Sequence, residues 1–288
     1  MRLGTVHDES GLHLVAAFGD SWLDLRTILP DGDPRGSSMR ALIARWSETA
    51  PLVASAASSG AGERVQADLG RLAPPVPDPR RILCIGRNYR EHAIEQGAAV
   101  PQAPEIFIKL ASTLIAPFAP IALPPDIPEV DYEAELVAVV GRGGRRIPRE
   151  HGLDAVFGWT VGNDVSVRPL QHRGTQWTPG KNFDESAPLG PYIVTRDELP
   201  DPSGCRVASR LPEGEMQSGF VRQMMFDVAT LIEDISRFTA LEPGDLIFTG
   251  TPPGVGEARK PPRWLRPGDL LVSSVEGVGT LENRCVQG

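Results

Sequence analysis

Residues 131–141 read DYEAELVAVVG and set three carboxylates, Asp131, Glu133 and Glu135, at alternate positions. On a β-strand, side chains at i and i+2 share a face, roughly 7 Å apart. After Glu135 the run is apolar on both parities (Leu136, Val137, Ala138, Val139, Val140), the pattern of a strand buried on both faces. Ionised carboxylates leading into such a strand repel one another and lose hydration unless a cation compensates them. A further acidic site, Asn163-Asp164, follows the apolar stretch VFGWTVG. By itself such a run also reads as a salt-bridged strand end or a solvated start that dives into the core; carboxylate oxygens from the two sites together, with room for water, make a donor set for a hard divalent cation, Mg²⁺ or Mn²⁺, rather than zinc.

Two other groups carry chemistry. In RNYREHAIEQG (87–97), His92 and Glu95 are three residues apart. On a helix they share a face, about 5–6 Å apart at Cβ, and a carboxylate there fixes the imidazole tautomer and raises its basicity. By spacing alone the pair reads as a solvated surface feature. Lys181, in PGKNFD, reads by itself as an ordinary surface lysine. Other catalytic signatures are absent: there is no G-x-S-x-G, no Walker A loop, no G-x-G-x-x-G after a strand and no Cys/His pair at zinc spacing.

These residues need a frame. The 288-residue chain has room for one large domain with a small companion. Residues 1–77 read as a small α+β unit that ends in the Pro-rich connector RLAPPVPDPRR. Strands are expected at RLGTV, LHLVAAF and WLDLRTIL, and Met39, Leu42, Ile43 and Trp46 recur at helical spacing. Residues 78–288 are strand-rich: ILCIG, PEIFIKL, ELVAVVG, PYIVT, DLIFTGT and DLLVSSV are short and apolar or β-branched. EPGD (242–245) and RPGD (266–269) put Pro-Gly before a strand, as a type II turn does. One helical stripe stands out, Phe220, Met224, Val228, Leu231, Ile232, Ile235 and Phe238. The expected class is a β-rich α+β fold with mixed or antiparallel sheets.

The formal net charge of −8 argues against nucleic acid and anionic membranes as partners. MRLGTVHDES carries charges and no apolar signal core, and no run approaches a membrane span. Three widely spaced cysteines (84, 205, 285) suit reduced thiols, so a cytoplasmic location is expected.

Across 80–286 the chain resembles the fumarylacetoacetate hydrolase family. The resemblance rests on ordered motifs: IGRNYREHAIE, DYEAEL, GNDVSVRPLQ, QWTPGKNFD, PLGPYIVT, PGDLIFTGTPPGVG and GVGTLENRC. It is with the acylpyruvase-like and hydroxymuconate isomerase-like branch. It implies a mixed β-roll catalytic domain over 78–288 behind a small N-terminal domain, and a homodimer. By position it implies Glu133, Glu135 and Asp164 as ligands of Mg²⁺ or Mn²⁺, with Ca²⁺ able to stand in, and His92 with Glu95 as a water-activating dyad on a lid segment. It implies Lys181 as the group that stabilises an enolate or oxyanion. Gln171, Gly250 and Thr251 match substrate-pocket positions. Arg168 is assigned either to the substrate or to structural carboxylates, and Lys109 either to the pocket mouth or to an exposed strand. Asn88-Tyr89 either shapes the lid segment or touches substrate.

The implied substrate is a small 2-oxo acid. The implied reaction is hydrolysis of a C–C bond in an acylpyruvate-type 1,3-diketo acid through a metal-bound enolate. A decarboxylase or isomerase uses the same site, and a family member without turnover is the outside alternative. Pro169 stands where many members carry Asp, and Leu110 where many carry Pro, which leaves the substrate's far end unspecified.

Overall fold

The computed structural model describes Met1–Gly288. Its central strand is Ala134–Val140, with every residue buried. An apolar run on both parities needs cover on both faces. One face packs Leu136, Ala138 and Val140 with Leu231, Ile232 and Ile235 of the helix Val228–Phe238. The other packs Val137 and Val139 with Phe248 and with Leu3, Leu14 and Ile43 from the N-terminal segment.

The main sheet runs, from edge to edge, Arg64–Gln66, Ser21–Asp24, Gly11–Phe18, Arg2–Asp8, Ala187–Thr195, Val156–Asn163, Ala134–Val140, Leu246–Phe248, Ile82–Gly86 and Glu105–Lys109. Neighbours along it are antiparallel except Leu246–Phe248 and Ile82–Gly86, which are parallel. The N-terminal strands join this sheet directly, with Arg2 opposite Val194 and Leu3 opposite Ile193. A second sheet of five strands runs Gly214–Phe220, Arg206–Leu211, Leu270–Val275, Gly279–Gln287 and Ile121–Leu123. The result is the β-rich α+β class expected from the strand pattern.

Both Pro-Gly turns form as read. Gly244 and Gly268 have φ of +83° and +96°, and Asp245 and Asp269 donate their N–H groups to the carbonyls of Glu242 and Arg266. Two expectations change. The strand expected at WLDLRTIL stops at Asp24, because the Asp24 carboxylate accepts the Arg26 N–H and starts a 3₁₀ turn over Leu25–Ile28. The apolar stripe 220–238 is not one helix: Phe220 closes a strand, and the helix begins at Val228, capped by Asp227, which accepts the Thr230 N–H at 2.8 Å.

The stretch between is held from outside. Asn88 accepts the Met225 N–H on its backbone carbonyl and the Phe226 N–H on Oδ1 at 2.9 Å. Its Nδ2 donates to the carbonyls of Phe226 (3.0 Å) and Thr249 (2.8 Å). Asn88 thereby ties the start of the segment 87–97 to the backbones of Phe226 and Thr249. No helix is long and apolar enough to cross a membrane. The three cysteines are buried and unpaired.

Asn88 is fully buried, so Asn88→Ala leaves buried backbone groups of two segments without partners. Urea unfolding should show a loss of about 3 kcal/mol. A loss under about 0.5 kcal/mol would mean that these bonds do not hold the segment.

Candidate active site at a buried carboxylate cluster

Three carboxylates meet at one end of the central strand. Glu133 precedes the strand, Glu135 lies in it, and Asp164 follows the adjacent strand Val156–Asn163. The register brings them together: Ala134 pairs with Asn163, the Asp164 N–H donates to the Glu133 carbonyl at 2.9 Å, and Asn163 Oδ1 accepts the Glu133 N–H at 3.0 Å. One oxygen from each of the three buried side chains lies within 4.8 Å of the others.

Asp131 is not among them. It sits in a separate two-residue strand, Val130–Asp131, paired with Ser166–Val167, so the alternation counted from the sequence is interrupted before Ala134. Its carboxylate accepts Arg168 Nε (3.0 Å) and Nη2 (2.8 Å) and the N–H groups of Tyr132 (2.8 Å), Gly256 (2.6 Å) and Glu257 (3.0 Å).

The cluster's counter-charges are unevenly shared. Lys181 Nζ donates to Glu133 Oε2 at 2.8 Å and Asp164 Oδ2 at 2.7 Å. Lys109 Nζ donates to Asp164 Oδ1 at 2.8 Å and to the Lys181 carbonyl. Arg168 Nη1 lies 2.8 Å from Glu133 Oε1. Glu135 meets no cation and accepts only the Gly250 N–H, at 2.7 Å. Burial pushes the Glu133 carboxyl up, but the Lys181 and Arg168 charges outweigh it and hold the group at about 2. Burial, then the charges of Asp164 and Glu133, push Glu135 well above the carboxylate range. Burial lowers Lys181, yet Asp164 and Glu133 carry it above the ordinary lysine value.

These residues fit a hard divalent cation. The donors are all oxygen, and Glu135 lacks the positive charge that would let it ionise. The Tyr89 hydroxyl is buried without a partner, and burial and the Glu135 charge raise its pKa. A buried hydroxyl without a protein partner leaves a group that an ion's water could meet.

A cavity of about 360 Å³ opens over the cluster, with Glu133, Lys181, His92, Glu95, Gln171 and Thr251 on its wall. His92 and Glu95 lie on the six-residue helix Arg90–Glu95, with Nδ1 and Oε1 2.8 Å apart. Glu95 also accepts the Gly254 N–H, at 3.0 and 2.8 Å to its two oxygens. A carboxylate only accepts, so Nδ1 carries the imidazole proton and Nε2 keeps its lone pair. Far from being a solvated surface pair, His92 is 3% exposed.

The other expected residues divide between wall and support. Thr251 donates its hydroxyl to the Ala134 carbonyl and accepts from Gln217 Nε2. Gln171 accepts from Arg168 Nη1 at 2.7 Å. Gly250 does not line the cavity. Its φ is +98°, a Cβ there would stand 2.7 Å from the Asn88 Cβ, and its N–H holds Glu135. Arg168, 1% exposed, lies behind Glu133, bonded to Asp131, Glu133 and Gln171, and is not on the wall. Lys109 is on neither a pocket mouth nor an exposed face but is buried against Asp164. Arg87, Phe107, Trp177 and the His172–Glu257 pair also line the cavity. Arg87 and Trp177 lie in the family motifs, His172 and Glu257 next to them and Phe107 outside them, and no spacing in the sequence marks any of the five.

Residues 81–286 match the family described as fumarylacetoacetate (FAA) hydrolase C-terminal, and the chain belongs to that family. Over 217 residues it is 43% identical to a Xenopus laevis protein named oxaloacetate tautomerase fahd2, mitochondrial, covering 75% of this chain and 68% of that one. The fold matches a maleylpyruvate hydrolase from Sphingobium sp. SYK-6, solved with manganese(II) and pyruvate, at a TM-score of 0.81 and 29% identity over the whole of both chains. It matches a 5-carboxymethyl-2-hydroxymuconate delta-isomerase from Mycobacterium smegmatis at a TM-score of 0.77 and 31% identity, covering 100% of this chain and 99% of that one. The family thus holds enzymes named as tautomerase, hydrolase and isomerase.

Glu135→Gln preserves shape and removes the one cluster carboxyl that no side-chain cation meets. Divalent-ion affinity should fall by on the order of 100-fold or more. The metal-free variant should be about as heat-stable as metal-free wild type, because the amide oxygen can still accept the Gly250 N–H and no ion pair is lost. Stoichiometric metal in the variant, by elemental analysis, would refute the assignment.

Proposed function

We propose that this protein is a divalent-cation-dependent enzyme that moves a proton on the enol of a 2-oxo acid, as in keto–enol tautomerisation of an oxaloacetate-type substrate. The observation that carries the proposal is the pairing of buried His92 with Glu95, in one cavity with Glu133 and Lys181. Sequence motifs alone put C–C hydrolysis first. Identity of 43% to a protein named as an oxaloacetate tautomerase moves proton transfer ahead of it.

Glu133, Glu135 and Asp164 would hold the cation, which when bound would polarise the substrate's keto group and fix its orientation. The chain's own residues do the rest. With Nδ1 engaged by Glu95, His92 uses Nε2 as the base. It takes a proton from C3 of the keto acid: the C–H pair becomes the C2–C3 double bond, and the carbonyl oxygen gains the proton. No atom is lost. The Glu95 carboxylate, fixed by the Gly254 N–H, stabilises the imidazolium that forms meanwhile. Lys181, on the cavity wall, puts an ammonium near the oxygen where negative charge collects. Arg168 and Asp131 keep Glu133 and the 256–257 loop in place around it.

Hydrolysis of an acylpyruvate is the second reading, favoured by the likeness to the maleylpyruvate hydrolase with manganese and pyruvate. There the same Nε2 would take its proton from water.

His92→Ala separates these readings from decarboxylation, which needs no base. Assayed with Mg²⁺, the variant should lose on the order of 10²–10⁴ in turnover for oxaloacetate enol–keto exchange, followed by enol absorbance. It should keep its metal, since His92 is not a proposed ligand. An exchange rate within a factor of about three of wild type would remove His92 from the mechanism. Release of pyruvate from acylpyruvates by wild type, with oxaloacetate exchange unchanged, would put the second reading first.

A further inference from the structure

The cavity has two cationic poles, and the reaction above uses only one. Lys181 Nζ stands 5.2 Å from the Phe107 ring centre. Phe107 and Trp177 meet edge to face at 5.4 Å. The Arg87 guanidinium carbon stands 5.2 Å from the Trp177 ring. All four residues line the same cavity and form one wall: cation, ring, ring, cation. The Lys181 end borders the carboxylate cluster. The Arg87 end has no role so far.

Arg87 is held at its place. It follows the strand Ile82–Gly86 with a φ of +50°, a left-handed conformation that a non-glycine residue keeps only when its surroundings impose it. Here they do. Gly86 before it has no space for a side chain against the Trp177 ring, and Asn88 after it is bonded to the backbones of Phe226 and Thr249. Glu105 clamps the guanidinium through Nε and Nη2, each at 2.6 Å. Nη1 has no partner in the protein, and the side chain is 25% exposed. By contrast, His172 at the same cavity is already engaged with Glu257 at 2.6 Å.

A clamped guanidinium with an unused amino group is suited to a carboxylate, which it meets with charge-assisted hydrogen bonds. Two rings between the poles, set edge to face, give an apolar wall for the chain that joins two acid ends. Building on the 2-oxo acid reading above, we infer that Arg87 binds a second carboxylate on the substrate. The enzyme therefore selects 2-oxo acids with an acid group at the far end over monoacids of the same chain length. Glu105 orients the guanidinium.

Two inert 2-oxo acids test this, 2-oxoadipate and 2-oxohexanoate, which share a chain and differ in ending in a carboxylate or a methyl group. Each is titrated calorimetrically into the full-length protein with saturating Mg²⁺. Wild type should prefer the diacid by about tenfold or more. In Arg87→Gln the preference should vanish while affinity for 2-oxohexanoate stays within about twofold. Glu105 left alone in that variant would itself repel a diacid, so the double variant Arg87→Gln/Glu105→Gln is measured too and should also show no preference. Glu105→Gln alone should keep one. Equal binding of the two acids by wild type, or a preference that survives in the double variant, would overturn this inference alone. Binding of neither acid by wild type would overturn the 2-oxo acid reading on which it rests.

Discussion

Three buried carboxylates cannot share a dry site without positive charge, and much of the catalytic end of this protein is arranged around that constraint. The two lysines that answer it come from separate segments docked together. Lys109 closes the edge strand Glu105–Lys109, and the residue after Lys181, Asn182, finishes that edge: its Oδ1 accepts the Leu110 N–H at 2.5 Å and its Nδ2 donates to the Ile108 carbonyl at 3.0 Å. The short helix Thr178–Lys181 can lie this close because Gly180 has no side chain to strike the Gln171 backbone. Docking one segment therefore delivers both ammonium groups to Asp164.

The compensation is incomplete in one direction. Glu133 is enclosed by Lys181 and Arg168, whereas Glu135 has a single backbone N–H. Arg168 in turn is locked by Asp131, and Asp131 also fixes the backbone of Gly256 and Glu257. Two residues earlier the same loop, at Gly254, is held by Glu95, the partner of His92. The carboxylate cluster and the His92–Glu95 pair are thus tied to opposite ends of one short loop. The proposed chemistry at the carboxylates and at the imidazole depends on the same backbone being in place.

The sequence carried the cluster well and its support poorly. An acidic group here was legible because charges at the ends of runs apolar on both parities have few explanations, and the motif resemblance narrowed it to Glu133, Glu135 and Asp164. His92 and Glu95 were legible only through the motif, since an i, i+3 spacing looks the same on a solvated helix. Asp131 was misleading. Its parity matched the glutamates, but the break at Tyr132 and Glu133 places it in another strand, and a local count cannot see that pairing. Lys109 could not be resolved because its buried partners, Asp164 and the Lys181 carbonyl, lie 55 and 72 positions on. The stripe 220–238 has helical apolar spacing, yet its first third is a strand end and a turn bonded to Asn88, a long-range contact that outweighs periodicity.

The most direct measurement is the position of manganese in crystals of the wild-type protein grown with Mn²⁺, located by anomalous scattering. The account predicts one ion per chain, bonded by oxygens of Glu133, Glu135 and Asp164, with His92 not a ligand. An active protein with manganese bound elsewhere, or with Lys181 still bridging Glu133 and Asp164 and no ion among the three carboxylates, would contradict it.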